Sequence, residues 1–267
     1  MDATQFEPMS VSGILDKAFT LYKRNFVRFI TIVAVIEVPI ALISLLWRGM
    51  FDRGVPDPTE AGSLFARAGA LFFSAMTTMV GNALCQGALT RSVSDSYLGN
   101  ETTVEQTFRA AMPKFLPLIG ASILTGLIVG LGFMLLVVPG VIFALWLFVT
   151  TPSIVVENQG ITAAMSRSKA LTSGNLGKVF AVSLLVLLIT IVVSIPVGIV
   201  VGSIPAIVFG GDSMVGKFFI ELAGVIAQIL AMPIGAAAGV LLYYDLRIRK
   251  EGFDLQMLSQ SMGAKPE

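Results

Sequence analysis

The sequence contains no histidine and only one cysteine, Cys85. Without histidine, Ser-His-Asp and Cys-His nucleophile systems are excluded, and so is histidine-ligated zinc or haem. Cys85 cannot form an intrachain disulfide, and its apolar setting is typical of a small buried residue. Because the acidic residues are scattered, a carboxylate-only metal site is not expected. We therefore predict a protein that is not an enzyme and that uses no cofactor.

Charged residues are also scarce. They make up 13% of the 267 residues, and hydrophobic residues make up 55%, whereas soluble domains have about 25% and about 45–50%. A net charge of +1 gives no reason to expect a nucleic-acid partner. The composition predicts one membrane domain with no sizeable soluble domain beside it.

Long apolar segments are abundant instead. Most of them reach the roughly 20 residues that a helix needs to cross a bilayer. There are six: 29–47, 64–90, 116–138, 141–156, 179–201 and 218–244. The predicted fold is therefore all-α, a polytopic bundle of six transmembrane helices. The first residues lack the basic and apolar regions of a cleavable signal peptide, so none is expected.

Lysine and arginine are distributed unequally between the two sides of such a bundle. Fourteen fall on the side of both termini: Lys17, Lys23, Arg24, Arg28, Arg91, Arg109, Lys114, Arg167, Lys169, Lys178, Arg247, Arg249, Lys250 and Lys265. The other side receives Arg48, Arg53, Arg67 and Lys217. Because basic residues stay on the cytoplasmic side, we expect both termini in the cytoplasm and the protein in a bacterial inner membrane.

The segments that connect the spans on the side rich in Lys and Arg have the pattern of amphipathic helices. We predict that these helices lie at the membrane surface and contact lipids. Residues 17–29 and 169–179 share a pattern of Lys-Ala, Thr, Asn and a base. Thr103 and Gln106 suggest a capping box in the second connector. We predict one domain over 1–255 containing three parallel units, 9–98, 101–158 and 160–250. A flexible cytoplasmic tail would follow at 256–267.

Polar residues within the predicted spans are the candidate site. Glu37 lies mid-span, where a carboxyl group is costly and often faces a cavity or a partner. It either binds a proton or ligand, or it stays protonated and hydrogen-bonds a neighbouring helix. Ser74, Thr78, Asn82 and Gln86 recur every four residues and so share a helix face. That face lines a hydrophilic groove or supplies hydrogen bonds between helices.

Three further patterns predict local structure. Glycine pairs at 126/130, 198/202 and 235/239 permit close helix approach. The Pro139-Gly140 pair predicts a tight turn between two spans. The tail from Tyr243 to Lys250 combines aromatic and basic residues, which is typical of an anchor at the membrane interface.

Several segments resemble a bacterial family named after the membrane domain of glycerophosphoryl diester phosphodiesterases. The similar stretches cover much of the chain: 88–99, Val138-Pro139-Gly140 with Trp146, 156–168 and 243–254. In the fused members of that family, hydrolysis belongs to a soluble barrel that uses histidine and acidic residues. This chain has neither, so the resemblance implies an integral membrane protein without phosphodiesterase activity.

Two functions remain open from the sequence. The first is binding or translocation of a lipid-like or small amphipathic molecule along Glu37 and the polar face of the second span. The second is a scaffold or envelope-organising protein with no transported substrate. A partner membrane protein or a second copy of the chain is compatible with both. Polar groups from different spans that meet in one cavity would favour the first.

Overall fold

The computed structural model describes residues 8–51, 61–211 and 213–252, which form helices and no strand. The predicted tail, 256–267, and much of the first outer loop lie outside these residues. The helices are α1 (Val11–Arg24), α2 (Phe26–Phe51), α3 (Ala61–Tyr97), α4 (Val104–Ala111), α5 (Phe115–Leu135), α6 (Val137–Trp146), α7 (Thr150–Glu157), α8 (Ile161–Thr172), α9 (Leu176–Val197), α10 (Ile204–Phe209) and α11 (Met214–Glu251).

Within the described residues, five helical segments are long and apolar enough to cross a membrane: Phe26–Leu46, Val104–Leu135, Val137–Glu157, Leu176–Phe209 and Met214–Glu251. They confirm the all-α membrane class. The predicted span 64–90 falls in α3, whose first turns are described only at the backbone. The count of six and the threefold relation stay predictions.

Helix α11 is the centre of the bundle. It contacts α1, α2, α3 and α9, and it is largely buried from Ala223 to Ile248. The apolar face of α1 packs on α11 through Ile14 and Ala18, both fully buried. Protein therefore covers that face, where we expected lipid. The gain comes from removing apolar side chains from contact with water at the membrane surface.

The helix start predicted at Thr103 is confirmed. The Thr103 hydroxyl accepts a hydrogen bond from the Gln106 N–H at 3.2 Å, and the Gln106 side chain accepts one from the Thr103 N–H at 2.9 Å. This reciprocal pair satisfies two of the N–H groups that a helix start leaves without intrahelical partners.

The turn predicted at Pro139-Gly140 lies elsewhere. The chain reverses at Leu136, whose backbone is extended, and Pro139 and Gly140 belong to the first turn of α6. Proline is tolerated there because first-turn N–H groups have no intrahelical partner. Gly140 instead allows close contact with α5. A Cβ added at Gly132 would lie 2.9 Å from the Gly140 Cα atom.

The predicted span 141–156 is also interrupted, between α6 and α7 at 147–149. Ser168 of α8 satisfies the freed backbone groups. Its hydroxyl donates to the Trp146 carbonyl at 2.7 Å and accepts from the Val149 N–H at 3.2 Å. Non-helical backbone at this depth is tolerated where protein groups satisfy it.

Candidate functional site: a cavity between α3, α9 and α11

Helices α3, α9 and α11 line an open cavity of about 880 Å³, together with the π-helical turn Gly198–Ser203 that continues α9. Polar side chains reach it from each of these elements: Asn82 and Gln86 from α3, Thr190 and Ser194 from α9, Ser203 from the π-helical turn and Gln228 from α11. The volume falls within the roughly 300–1,000 Å³ of small-molecule sites, which likewise combine apolar walls with a few convergent polar groups.

The part of the cavity lining that α9 and its π-helical turn supply follows from a four-residue spacing in the sequence. Thr190, Ser194, Gly198 and Gly202 recur every four residues and all line the cavity, because that spacing keeps side chains on one helix face. Small residues leave space along this face. A Cβ added at Gly198 would meet no described atom within 4 Å, whereas one at Gly202 would lie 3.1 Å from Ala223 Cβ. The 198/202 glycine pair thus opens the cavity at one end and packs on α11 at the other.

Pro196 precedes the π-helical turn. Proline removes one backbone donor and crowds the preceding turn. The helical hydrogen bonds resume beyond it with a spacing of five residues in place of four, and the Ile204 N–H donates to the Ile199 carbonyl. Such π-helical insertions often occur at functional sites. Here Gly198, Ile199, Gly202 and Ser203 of the turn all line the cavity.

The cavity opens sideways. Ile195, Ile199 and Ile220 line it, yet each keeps about half of its surface exposed: 55%, 50% and 49%. In a bilayer such surface faces lipid tails, since water is absent from the hydrocarbon core.

A second cavity of about 460 Å³ shares lining residues of α3 with the first. Ser122 of α5 and Thr151 of α7 line it together with Thr78, Asn82 and Gln86. Asn82 and Gln86 line both cavities, so these two carboxamides lie where the two spaces border each other.

The five predicted site residues are not all brought together. Thr78, Asn82 and Gln86 line one or both cavities, and Ser74 is not among the described lining residues of either. Glu37 belongs to α2 and is buried against a different face of α3. There the Cys85 thiol of α3 donates a hydrogen bond to the Glu37 Oε1 atom at 3.4 Å. Cys85 is fully buried, as predicted. Glu37 thus contacts the face of α3 that packs on α2, away from the described linings.

Sequence reasoning missed the contributions of α9 and α11. The four-residue spacing that identified the α3 face recurs at Thr190, Ser194, Gly198 and Gly202, so this signal was available. Gln228 had a weaker signal, a lone carboxamide in an apolar helix. Its Oε1 atom is buried without a hydrogen-bond partner among the described residues, which marks a group able to bind a donor.

A separate polar cluster occupies the basic end of the bundle, the end where α1, α8 and the last turns of α11 meet. Asp245 is fully buried there. One carboxylate oxygen accepts from the Met9 N–H at 2.7 Å, and the other pairs with Lys178 and, at 3.0 Å, with Arg249. Both cations also donate to the Met9 carbonyl. These contacts tie the segment before α1 to α9 and α11.

A neighbouring ion cluster joins α7, α8 and α11. Arg167 makes a two-pronged contact with Glu157 at 2.9 and 3.1 Å and also pairs with Glu251. The hydrogen bond to Glu251 is the largest of several effects that raise the pKa of Arg167 above its ordinary value. The Tyr243 hydroxyl donates to Glu157 at 2.6 Å. These contacts join α7, α8 and α11 at the basic end.

This end corrects the predicted interfacial anchor. Tyr243 and Tyr244 are almost completely buried, so they do not face lipid headgroups. Their hydroxyl groups find protein partners in Glu157 and Ser94, and a buried tyrosine needs such partners. The Tyr97 ring packs against the Tyr244 ring at a tilt of 37°, with ring centroids 5.1 Å apart. Burial is the main reason that the pKa of Tyr97 rises to about 12.

Among the described residues, no group of three or more His, Cys, Asp or Glu side chains could hold a metal ion. The candidate site is a cavity whose described lining residues are uncharged, and the charged cluster lies apart from it at the basic end of the bundle. Its geometry offers hydrogen bonds and apolar contact.

Comparison with known proteins gives one informative relative. The chain is 35% identical over 122 residues to a UPF0259 membrane protein of Pectobacterium carotovorum subsp. carotovorum (strain PC1). The match covers 45% of this chain and 46% of that protein, so it spans about half of each. No family model matches, and no solved structure matches. Together with the five apolar helices, this relative identifies the chain as a membrane protein similar to a bacterial one.

Proposed function

We propose that this protein binds a lipid-like or small amphipathic molecule within the membrane and helps it to move, without catalysing a reaction. The observation that carries the proposal is the convergence of polar groups from α3, α9, α11 and the π-helical turn on one cavity of about 880 Å³. A scaffold has no need of such a space, because helices packed only for stability leave few voids larger than a water molecule.

The setting of the proposal is a bacterial inner membrane with both termini in the cytoplasm. The basic end, with Lys17, Lys178 and Arg247, would then lie on the cytoplasmic side, in agreement with the positive-inside rule. In the glycerophosphoryl diester phosphodiesterase membrane-domain family, which the sequence resembles, the catalytic barrel is separate from the membrane part, and this is compatible with a membrane protein that catalyses no reaction. Membrane lipids are the expected partners.

Within this proposal Glu37 positions α3. Its contact with Cys85 is direct, and a Cβ added at Gly81 would lie 3.8 Å from its carboxylate and against Ile40. The carboxyl group thus packs on the backbone of the helix whose other face presents Asn82 and Gln86. We expect Glu37→Gln to keep ligand binding. If Glu37→Gln were produced at normal yield but no longer bound ligand, Glu37 would have a direct role in ligand binding.

The direct test fills the cavity. A Cβ at Gly224 of α11 would meet no described atom within 4 Å, and Gly224 lines the cavity. Gly224→Leu should therefore occupy the space at little cost to folding. Gly126→Leu is the matched control, because Gly126 of α5 is equally unobstructed and is not among the described lining residues.

Native mass spectrometry of protein released from nanodiscs made of bacterial lipids measures the outcome. We expect a stoichiometric lipid-like adduct on the wild type and on Gly126→Leu, and its loss from Gly224→Leu. Equal adducts on all three proteins, or a bare wild-type chain, would refute the proposal. In that case the scaffold interpretation, with a partner membrane protein or a second copy of the chain, would replace it.

A further inference from the structure

We infer that the cavity selects an uncharged, single-chain amphipath that carries a hydroxyl or amide donor, and that Gln228 is the residue that recognises this donor. The inference rests on the proposed function and narrows it to a ligand class. It follows from the charge of the lining, from the kind of polar group present and from the shape of the cavity.

The lining is uncharged. Among the described residues that line either cavity, none is Asp, Glu, Lys or Arg. A phosphate group at this depth would lose its hydration without gaining a cationic partner, and that loss is costly. The first turns of α11 contain one residue of each charge, Lys217 and Glu221, and each of them has an interaction of its own. At the basic end, Lys178 and Arg249 are paired with Asp245.

The polar groups instead match a hydroxyl or an amide. The Gln228 Oε1 atom is a buried acceptor that lacks a described partner. The Thr190 hydroxyl already donates to the Val186 carbonyl at 2.9 Å, so it too is left as an acceptor. The Asn82 and Gln86 carboxamides add donors as well as acceptors. The Gln228 Oε1 atom is closed to a molecule of the size of water, so the side chain must rotate towards the cavity that it lines before a ligand hydroxyl donates to it; the α3 carboxamides line the same cavity.

These groups lie well inside the bundle, although Gln228 lies farther from the basic end than Gln86 and Thr190 do. Counting along each helix from the basic end at about 1.5 Å per residue, Gln86 lies about 16 Å from Tyr97 and Thr190 about 18 Å from Lys178. Gln228 lies about 25 Å from Asp245 by the same measure. All of them belong to the hydrocarbon core, which is about 30 Å thick.

The shape suits one extended chain. The lining residues of α9 and its π-helical turn run from Val186 to Ser203, which is about 25 Å of helix. Along this length the wall is mostly apolar, with Ile195, Ile199 and Ile220 at the opening to lipid. An acyl chain can lie along this groove with its polar end beside Gln228, and a molecule dissolved in the bilayer can enter it sideways.

Three probes with the same oleoyl chain test the inference: 1-oleoylglycerol, methyl oleate and 1-oleoyl-lysophosphatidylglycerol. The first is neutral with hydroxyl donors, the second is neutral without a donor, and the third carries a phosphate. Equilibrium binding of each radiolabelled probe is measured on the intact protein in nanodiscs, with empty nanodiscs to subtract partition into lipid. We expect 1-oleoylglycerol to bind about tenfold more tightly than either of the others, since one unsatisfied buried polar group costs about 1–3 kcal/mol.

The variant Gln228→Leu completes a thermodynamic cycle. It should weaken binding of 1-oleoylglycerol and leave methyl oleate unchanged, so that the preference for the donor disappears. Equal binding of 1-oleoylglycerol and the lysophospholipid, or a preference that survives in Gln228→Leu, would overturn the inference while leaving the proposed function intact. Binding of none of the probes above the empty-nanodisc background, with no co-purified adduct, would refute both.

Discussion

Asp245 provides the sharpest test of the packing at the basic end. Its carboxylate is fully buried and faces the Met9 N–H, Lys178 and Arg249. In Asp245→Asn the size is kept and the charge is lost, so Lys178, whose side chain is only 14% exposed, loses its counter-ion. Breaking a buried pair in this way costs about 3–5 kcal/mol. Because Arg249 is 37% exposed and can regain water, we expect the lower end, about 3 kcal/mol.

The assay is reversible unfolding in mixed detergent micelles. A double-mutant cycle with Lys178→Met isolates the pair, and we expect the double variant to be more stable than additivity predicts by about 1 kcal/mol or more. Glu105→Gln is the matched control. It breaks the Glu105–Arg109 pair, whose side chains are 79% and 81% exposed, and such pairs contribute about 0.5 kcal/mol or less. If Asp245→Asn costs no more than Glu105→Gln, or if the cycle is additive, the cluster does not stabilise the fold as argued.

Two further predictions concern α5 to α8. Ser168→Ala should destabilise the protein by about 1–3 kcal/mol, because it leaves the Val149 N–H and the Trp146 carbonyl without the serine hydroxyl. The control Ser173→Ala removes an exposed hydroxyl and should be near neutral. Equal losses of stability in the two variants would contradict this expectation. Gly132→Ala should destabilise by about 1–3 kcal/mol through contact with the α6 backbone. Gly126→Ala on the same helix should be neutral or stabilising, since alanine favours a helix by about 1 kcal/mol over glycine. Thermal unfolding of both variants checks this, and a destabilised Gly126→Ala would contradict the open space assigned there.

The class of fold followed from the sequence because it depends on composition and run length. Apolar segments of the length of a bilayer and a scarcity of charge admit few structures other than a helical membrane bundle. The capping box at Thr103 was also readable, because its two hydrogen bonds join residues three apart. Local chemistry of this kind does not depend on what the rest of the chain does.

Features that depend on distant partners were not readable. The interruption between α6 and α7 exists because Ser168, in the next helix, satisfies the broken ladder. Asp245 looked like part of a surface anchor, yet Met9 and Lys178, far away along the chain, hold it inside. A hydrophobic pattern shows that a residue can be buried, but the identity of its partner is a tertiary property.

The candidate site was half predictable. The polar face of α3 was found from its four-residue spacing, and Asn82 and Gln86 do line cavities. The sequence could not tell that Glu37 packs behind that face, because one residue in an apolar helix has no periodicity that fixes its direction. Gln228 was not predicted for the same reason. The residues of the α9 series that begins at Thr190 recur every four positions, so this series could have been recognised from the sequence.

The most direct test of the central claim is the position at which a ligand crosslinks. A 1-oleoylglycerol analogue with a diazirine in its acyl chain would be bound to the wild-type protein in nanodiscs, photolysed and mapped by peptide mass spectrometry. We expect crosslinks between Val186 and Ser203 and between Ile220 and Gly235, and we expect Gly224→Leu to abolish them. Crosslinks that spread over the exposed surface of α5 and are unchanged by Gly224→Leu would show that lipid only surrounds the bundle, and they would rule out a ligand in the cavity.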